Sequence, residues 1–243
     1  MEYFKSFNDV LYKFGSETST VAIQDLSSYI DIIDQIKDDI AVYEKGHITE
    51  GMRPDQLSYA LYDTTIYHWT FYLLNDSLRL QGWPLTAQEL NDTVQREFPR
   101  DVLTTRTPLA GIFKEGQTIT GSVSGSTGTV VHRNLDFGQL VIDTDNNGFI
   151  AGEAVTSTPI GGSVQSIIIV SAEKEINAAH HYISNGSTTI VDIDPALGPG
   201  QLITEVTNTE YYKNENEKLR DIKVIRPNII ENLVASFKQG IRT

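Results

Sequence analysis

The chain has 243 residues, of which 40% are hydrophobic and 21% charged, and it carries a formal net charge of −13 without any cysteine. The lack of cysteine excludes disulfides, thiolate metal sites and cysteine nucleophiles. An acidic chain without a basic cluster is a poor candidate for nucleic-acid binding, which needs a positive field. No apolar run approaches ~18 residues, and the N-terminus does not resemble a secretory signal, so we expect no membrane span and folding in the cytoplasm.

Residues 1–105 are predicted to be mostly helical. Between Gln24 and Tyr43, apolar side chains recur at three- and four-residue spacing, which predicts an amphipathic helix with Asp25 as its N-cap. Pro54 suits the first turn of a further helix, and a second short helix follows it. Two short helices bury little surface by themselves, so we expect a small sheet or a partner beneath them.

Residues 106–172 lose the helical pattern and read as an inserted β-domain. Five short β-rich runs alternate with turn signals: QTITGSV, TGTVVHR, GQLVID, EAVTS and SVQSIIIV. A short motif occurs twice with the same internal spacing, as Phe113-x-x-Gly116-Gln117-x-Ile119-Thr120-Gly121 and as Phe149-x-x-Gly152-Glu153-x-Val155-Thr156-Ser157. The two copies predict two similar hairpins that close a small barrel.

Residues 173–243 are predicted to return to mixed structure. The runs TTIVDID and KLRDIKVI favour strands, and a loop rich in proline and glycine lies between them. After Pro227 a final amphipathic helix is expected, with its apolar face formed by Ile229, Ile230, Leu233, Val234, Phe237 and Ile241. The predicted fold class is therefore α+β, with a helical N-terminal unit, an inserted small β-barrel and a C-terminal strand and helix.

Two groups of side chains could bind metals, but neither pattern is convincing. The start of a calcium loop is suggested by Asp143, Asp145, Asn147 and Gly148. Its twelfth position is Ala154 rather than glutamate, so a polar hairpin turn fits better. His180 and His181 are adjacent, and adjacent strand residues point to opposite faces, so their rings should not converge on a metal.

The sequence contains no nucleophile elbow and no phosphate-binding or dinucleotide-binding loop. We therefore predict a protein that is not an enzyme, with no catalytic, cofactor-binding or metal-binding residues. The segment from Tyr59 to Tyr72 is dense in aromatic side chains, which cannot all face one small core. Some of them should be exposed at a protein interface, and a glycan groove is the alternative.

Two stretches carry a family resemblance. The first runs from Arg53-Pro54-Asp55 through Leu61-Tyr62 and Tyr67-x-Trp69 to Leu73-Leu74-Asn75-Asp76, and Gly82-Trp83 follows it. The second is Asn214-Glu215-Asn216-Glu217-Lys218-Leu219-Arg220-Asp221-Ile222-Lys223-Val224-Ile225. Together they resemble the baseplate wedge protein fifty-three family of T-even-type contractile-tail bacteriophages. The resemblance covers roughly residues 1–100 and 176–243, and the β-rich segment lies outside it.

The first stretch is also similar to a LysM unit, over about residues 42–90. That unit has a strand, two short helices and a second strand, and LysM modules often bind peptidoglycan or chitin. The usual Gly-Asp before the first helix is replaced here by Arg53-Pro54-Asp55.

The resemblance implies a structural subunit of the virion tail baseplate, without cofactors and assembled in the host cytoplasm. Such a subunit would contact the wedge core, the sheath-initiator (lysozyme-like) subunit and the neighbouring wedge, and would help to close a six-fold ring by protein–protein contacts. The predicted interface residues are Arg53, Tyr62, Tyr67, Trp69, Trp83, Asn216, Lys218, Leu219 and Arg220. Residues 216–220 could form a contact strand or an internal sheet edge. A peptidoglycan-binding module is the alternative function, and a cell-wall hydrolase would need a carboxylate pair in a cleft.

Overall fold

A computed structural model of the chain describes residues 8–16, 18–24, 41–144 and 148–241. The chain forms two compact units. The first unit comprises Met1–Thr86 and Asn216–Thr243, and the second unit comprises Ala87–Glu215. Helices and antiparallel strands are both present, which confirms the α+β class. Within the described ranges, no helix is long and apolar enough to cross a membrane.

The first unit consists of a hairpin, a second strand pair and helices. Its elements are β1 (Asp9–Tyr12), β2 (Val21–Gln24), β3 (Tyr43–His47), α1 (Pro54–Tyr62), α2 (Thr70–Leu74), α3 (Asp76–Gln81), β13 (Asp221–Ile225) and α6 (Ile230–Ile241). Strand β3 pairs antiparallel with β13, so that Tyr43 lies opposite Ile225 and His47 opposite Asp221. Strand β1 pairs only with β2 among the described strands.

The core of the first unit lies between the β3–β13 pair and the short helices. It is formed by Ile48, Leu57, Phe71, Leu78, Leu219, Ile222 and Val224. Helix α6 adds Ile230 and Val234, which pack on Leu74 and Ile225. The start of α1 is fixed by Pro54 and by the Arg53 N–H, which donates to Gln56 Oε1 at 2.9 Å. The expected small sheet beneath the helices is therefore present.

Three expectations for the first unit need comment. The predicted helix between Gln24 and Tyr43 falls mainly on residues 25–40, outside the described residues, and its two end residues lie in strands. The strand predicted from Lys218 begins only at Asp221, because a helix precedes it and the Arg220 N–H donates to the Glu217 carbonyl at 3.0 Å. The final helix after Pro227 is confirmed.

The second unit contains the barrel and a small sheet. Its elements are α4 (Ala87–Glu97), β4 (Asp101–Thr105), β5 (Thr118–Gly121), β6 (Thr127–Asn134), β7 (Gln139–Asp143), β8 (Ala154–Ser157), β9 (Gln165–Lys174), β10 (Ala179–Ser184), β11 (Ile190–Val191), β12 (Ile203–Thr207) and α5 (Asn208–Lys218). The last three residues of α5 belong to the first unit. Strand β10 lies between β11 and β12. The predicted strand TTIVDID is reduced to two residues.

The predicted barrel is confirmed, with one strand more than expected. The strands close in the order β4-β7-β6-β5-β8-β9, and all five predicted runs form strands. Strand β4 precedes the predicted insert of residues 106–172, and it was missed because all five of its residues are buried. A strand that is covered on both faces lacks the polar–apolar alternation by which strands are found.

The repeated motif forms two equivalent bends that lead into β5 and β8. Gly116 and Gly152 have φ values of +82° and +89°, a region that favours glycine. The Gly116 N–H donates to the Val130 carbonyl at 2.8 Å, and the Gly152 N–H donates to the Ile169 carbonyl at 2.7 Å. The two strands then pair, with Thr120 opposite Thr156. The two copies of the motif therefore form equivalent bends, one before β5 and one before β8 of the same barrel.

The copies differ at one position, where Gln117 corresponds to Glu153. The Glu153 side chain is buried and accepts hydrogen bonds from the Val123 and Ser124 N–H groups, both at 2.9 Å, from the Ser124 hydroxyl and from the Ile150 N–H at 2.7 Å. Burial opposes ionisation of this carboxyl, but the hydrogen bonds outweigh it and lower the pKa of Glu153 to about 2. The carboxylate thus joins the turn after β5 to the bend before β8.

Replacement of Glu153 by glutamine should destabilise the barrel by roughly 1–3 kcal/mol at pH 7, because an amide NH₂ would face backbone donors. In the wild type, the stabilisation from Glu153 should be complete above its usual pKa of 4.5 and lost as the pH falls towards about 2. Urea unfolding followed by circular dichroism measures both effects. Gln117→Glu, at the matching position, should be nearly neutral. Equal stability of Glu153→Gln and wild type at pH 7 would contradict this role.

Candidate protein-contact surfaces

The two stretches that carry the family resemblance pack against each other in the first unit. Asn75 is the main polar link between them. Its Nδ2 donates to the Lys223 carbonyl at 2.8 Å, and its Oδ1 accepts from the Lys223 N–H at 2.8 Å. The same Nδ2 also donates to the Phe71 carbonyl at 2.8 Å. This buried amide therefore pairs with β13 much as a neighbouring strand would.

Residues 216–220 do not form a strand, and Asn216, Leu219 and Arg220 among them are buried. Asn216 is buried and binds both backbone groups of Leu85, accepting from its N–H at 2.7 Å and donating to its carbonyl at 3.0 Å. Arg220 is 5% exposed and donates to the Ile48 and Leu85 carbonyls and to Glu217 Oε1. Leu219 belongs to the core, and Lys218 is exposed.

The predicted aromatic interface residues are also engaged within the first unit. The Tyr62 hydroxyl donates to the Ile225 carbonyl at 2.8 Å, and Tyr67 packs edge-on against Tyr62. Trp83 donates from Nε1 to the Met52 carbonyl at 2.7 Å, and Trp69 lies 5.4 Å from the ring of Phe237. All four side chains are half-buried. Burial, followed by the charge of Glu44, raises the pKa of Tyr62, as expected for a phenol held in a packed site.

The exposed surface of the first unit includes residues that the motif does not single out. Tyr59 is 61% exposed on α1, and Ile66 and Leu80 are also exposed. Arg53 is exposed, with its Nε 3.2 Å from Asp55 Oδ1. A small apolar groove is lined by Trp69, Thr70, Leu73, Leu74, Ile225, Leu233, Val234 and Phe237. Exposure of a side chain, and not its place in the two stretches that carry the resemblance, therefore distinguishes residues available for a contact from residues of the core.

In the second unit, His180 and His181 converge, contrary to expectation. The strand register shifts between Ala179 and His181, and the Nδ1 atoms of the two rings lie 2.8 Å apart. The His180 ring stacks on Tyr211 at 3.9 Å. Burial, followed by the charge of His181, lowers the pKa of His180. One ring donates a proton and the other accepts it, so the pair is a hydrogen-bonded unit.

A second polar cluster surrounds β12. Burial, followed by the charge of Glu173, raises the pKa of Glu205, and burial raises the pKa of Glu173. The Tyr182 hydroxyl donates to Glu205 at 3.5 Å, and burial followed by that carboxylate raises the pKa of Tyr182 to about 12. The nearby Arg106 has a buried Nη1 without a hydrogen-bond partner. Two carboxylates thus lie within range of each other's charge.

The suggested calcium loop includes residues 145–147, which lie outside the described residues. Across the part of the chain that is described, no group of three or more histidine, aspartate or glutamate side chains could hold a metal ion.

Replacement of Asn75 by alanine should lower the free energy of unfolding of the first unit by about 1–3 kcal/mol, because it leaves two backbone groups of Lys223 without partners. Urea unfolding followed by tryptophan fluorescence measures this, since Trp69 and Trp83, the two tryptophans of the chain, both lie in the first unit. Asn232→Ala, an exposed position on α6, is the control and should be neutral. Equal effects of the two substitutions would contradict the role of Asn75.

Protonation of His180 should destabilise the second unit. Because folding lowers the pKa of this histidine, stability should be full above its usual value of 6.5 and should decrease as the pH falls below it. His180→Phe keeps the ring that stacks on Tyr211 but cannot titrate, so its stability should fall less between pH 7 and pH 5. Urea unfolding at several pH values tests this, with exposed His132→Phe as the control. An equally steep fall in His180→Phe would refute the assignment.

The chain was also compared with known proteins. No model of a known protein family matches the sequence, and no curated protein matches it either.

Proposed function

We propose that the chain is a structural subunit of a contractile-tail phage baseplate, joining neighbouring wedges into the ring by protein–protein contacts. One observation carries the proposal. The two stretches that resemble the wedge protein family are separated by more than half of the chain. Within the first unit, however, polar side chains of each stretch bind backbone groups in or beside the other. Asn75 binds the backbone of Lys223, and Asn216 binds the backbone of Leu85.

The topology of the first unit also supports the LysM-like part of the proposal. Strand β3 is followed by three short helices, one more than the LysM pattern has, and an antiparallel partner strand completes the pair. The partner is β13 at residues 221–225, outside the range of 42–90 assigned from the sequence. The second unit therefore stands, in the chain, between the helices and the second strand of the proposed LysM-like unit.

In this role the protein works by burying surface and not by chemistry. Its partners would be the wedge core, the sheath-initiator subunit and the adjacent wedge, in the tail of the virion. Exposed aromatic and aliphatic side chains such as Tyr59, Ile66 and Leu80 supply the apolar part of the contact, and Arg53 and Lys218 supply its polar rim. The charge of −13 favours partners whose contact surfaces are basic.

The geometry gives less support to the peptidoglycan alternative. Sugar-binding tryptophans need an open ring face, whereas Trp83 donates to the Met52 carbonyl and lies 6.1 Å from Phe71, and Trp69 packs on Phe237. Soluble peptidoglycan fragments should therefore not bind at millimolar concentration. If they bind, and if they lose affinity in Trp69→Ala without loss of folding, the glycan function replaces the structural one.

The chain should form a larger species with purified baseplate wedge proteins of its phage in analytical ultracentrifugation. Tyr59→Ala should weaken this association by roughly tenfold, as expected for an aromatic contact residue. Leu202→Ala, which removes an even more exposed apolar side chain from the second unit, is the control. A wild-type chain that sediments as an unchanged monomer beside every wedge protein would contradict the proposal.

A further inference from the structure

The adjacent residues His180 and His181 on β10 present two ring nitrogens to one point. Their Nδ1 atoms lie 2.8 Å apart, and the ring planes stand at 82° to each other. An unprotonated imidazole nitrogen carries a lone pair that can bind a metal ion, and imidazole suits copper, nickel and zinc. Rings of neighbouring strand residues were expected to diverge, and in this pair they do not.

The separation of the two Nδ1 atoms is close to that of two ligand atoms on one metal ion. With metal–nitrogen distances of about 2.0–2.1 Å, two ligands at a right angle or at the tetrahedral angle stand roughly 2.9–3.4 Å apart. The two nitrogens would have to move apart from 2.8 Å by about half an ångström at most. Small rotations of the two side chains are enough for this, so both nitrogens can bind the same ion.

Aromatic side chains of α5 hold the two histidines in place. The His180 ring stacks on the Tyr211 ring at 3.9 Å, and Tyr211 packs edge-on against Tyr212. The Tyr212 hydroxyl donates to Glu97 at 2.7 Å, which links α5 to α4. Both histidines are half-buried, so an ion can reach them from solvent while packing limits the motion of the rings. Such preorganisation reduces the side-chain entropy that is lost on binding.

We propose that His180 and His181 bind one divalent transition-metal ion through their Nδ1 atoms, with Cu²⁺ bound most tightly. The ion replaces the hydrogen bond between the rings. The ring that donates from Nδ1 then carries its proton on Nε2, and both imidazoles remain neutral. Among the described residues, no third histidine, aspartate or glutamate joins the pair, so water fills the remaining coordination positions. Nitrogen ligands favour Cu²⁺ over Zn²⁺, whereas Mg²⁺ prefers oxygen ligands.

The test measures binding of Cu²⁺, Zn²⁺ and Mg²⁺ by the full-length chain at pH 7, after a chelator has removed bound metal. Isothermal titration calorimetry gives the affinity and the number of ions bound. His180→Phe and His181→Phe each remove one ligand and keep an aromatic ring. His132→Phe makes the same change at an exposed histidine that lies 3.4 Å from Glu115, and it is the matched control. Circular dichroism establishes that the variants are folded.

The wild-type chain should bind one Cu²⁺, should bind Zn²⁺ more weakly and should not bind Mg²⁺. His180→Phe and His181→Phe should each weaken copper binding by about a hundredfold, because loss of a direct ligand costs at least as much as loss of an outer partner. His132→Phe should stay within about twofold of wild type. A loss below about tenfold in either ligand variant, or an equal loss in His132→Phe, would overturn the inference.

A second measurement needs no variant to fold. Paramagnetic Cu²⁺ broadens the NMR signals of the side chains that bind it, and the chain has five histidines whose ring signals can be compared. At less than one equivalent of Cu²⁺, the ring signals of His180 and His181 should disappear before those of the other three. If another histidine loses its signal first, the ion binds elsewhere and the inference fails.

Discussion

The pairing of β3 with β13 is the constraint on which the rest of the first unit depends, because it joins residues as far apart in the chain as His47 and Asp221, which are separated by 174 positions. Closing a flexible loop of that length costs about 4–5 kcal/mol of chain entropy. The second unit reduces this cost by bringing its own ends together, since the Tyr212 hydroxyl donates to Glu97 at 2.7 Å and its ring packs against Phe98. Buried polar links such as Asn75 then fix the register of β13.

The residues that identify the family resemblance and the residues available for contact are largely different sets. Asn216, Leu219 and Arg220 are buried, where they satisfy backbone groups or fill the core. Exposed apolar side chains lie instead on α1, on α3, on the hairpin β1–β2 and on strands and loops of the second unit. The residues of such a motif hold the unit together, and the residues on the surface that contacts a partner can differ. The proposed function therefore rests on the motif for its class and on the exposed side chains for its contacts.

The sequence allowed the barrel and the final helix to be predicted, because β-rich runs bounded by turn residues in β5–β9 and the three-and-four spacing after Pro227 are strong local signals. Strand β4 has no alternation, since every residue in it is buried. The helical segment before Asp221 was missed because its residues are polar and show no apolar face. The two rings of His180 and His181 meet where the strand register shifts, and the burial of Asn216 and Arg220 depends on contacts with distant residues. Local sequence patterns reveal neither the meeting of the two histidines nor these long-range contacts.

We propose that this chain is a structural subunit of the tail baseplate. Quantitative mass spectrometry of purified phage tails, with isotope-labelled peptides of the chain as standards, tests it most directly. The account predicts that the chain is present in intact tails in a multiple of six copies, and that it stays with the baseplate when sheath and tube are removed. Its absence from tails that contain the other wedge proteins in full amount would contradict the account.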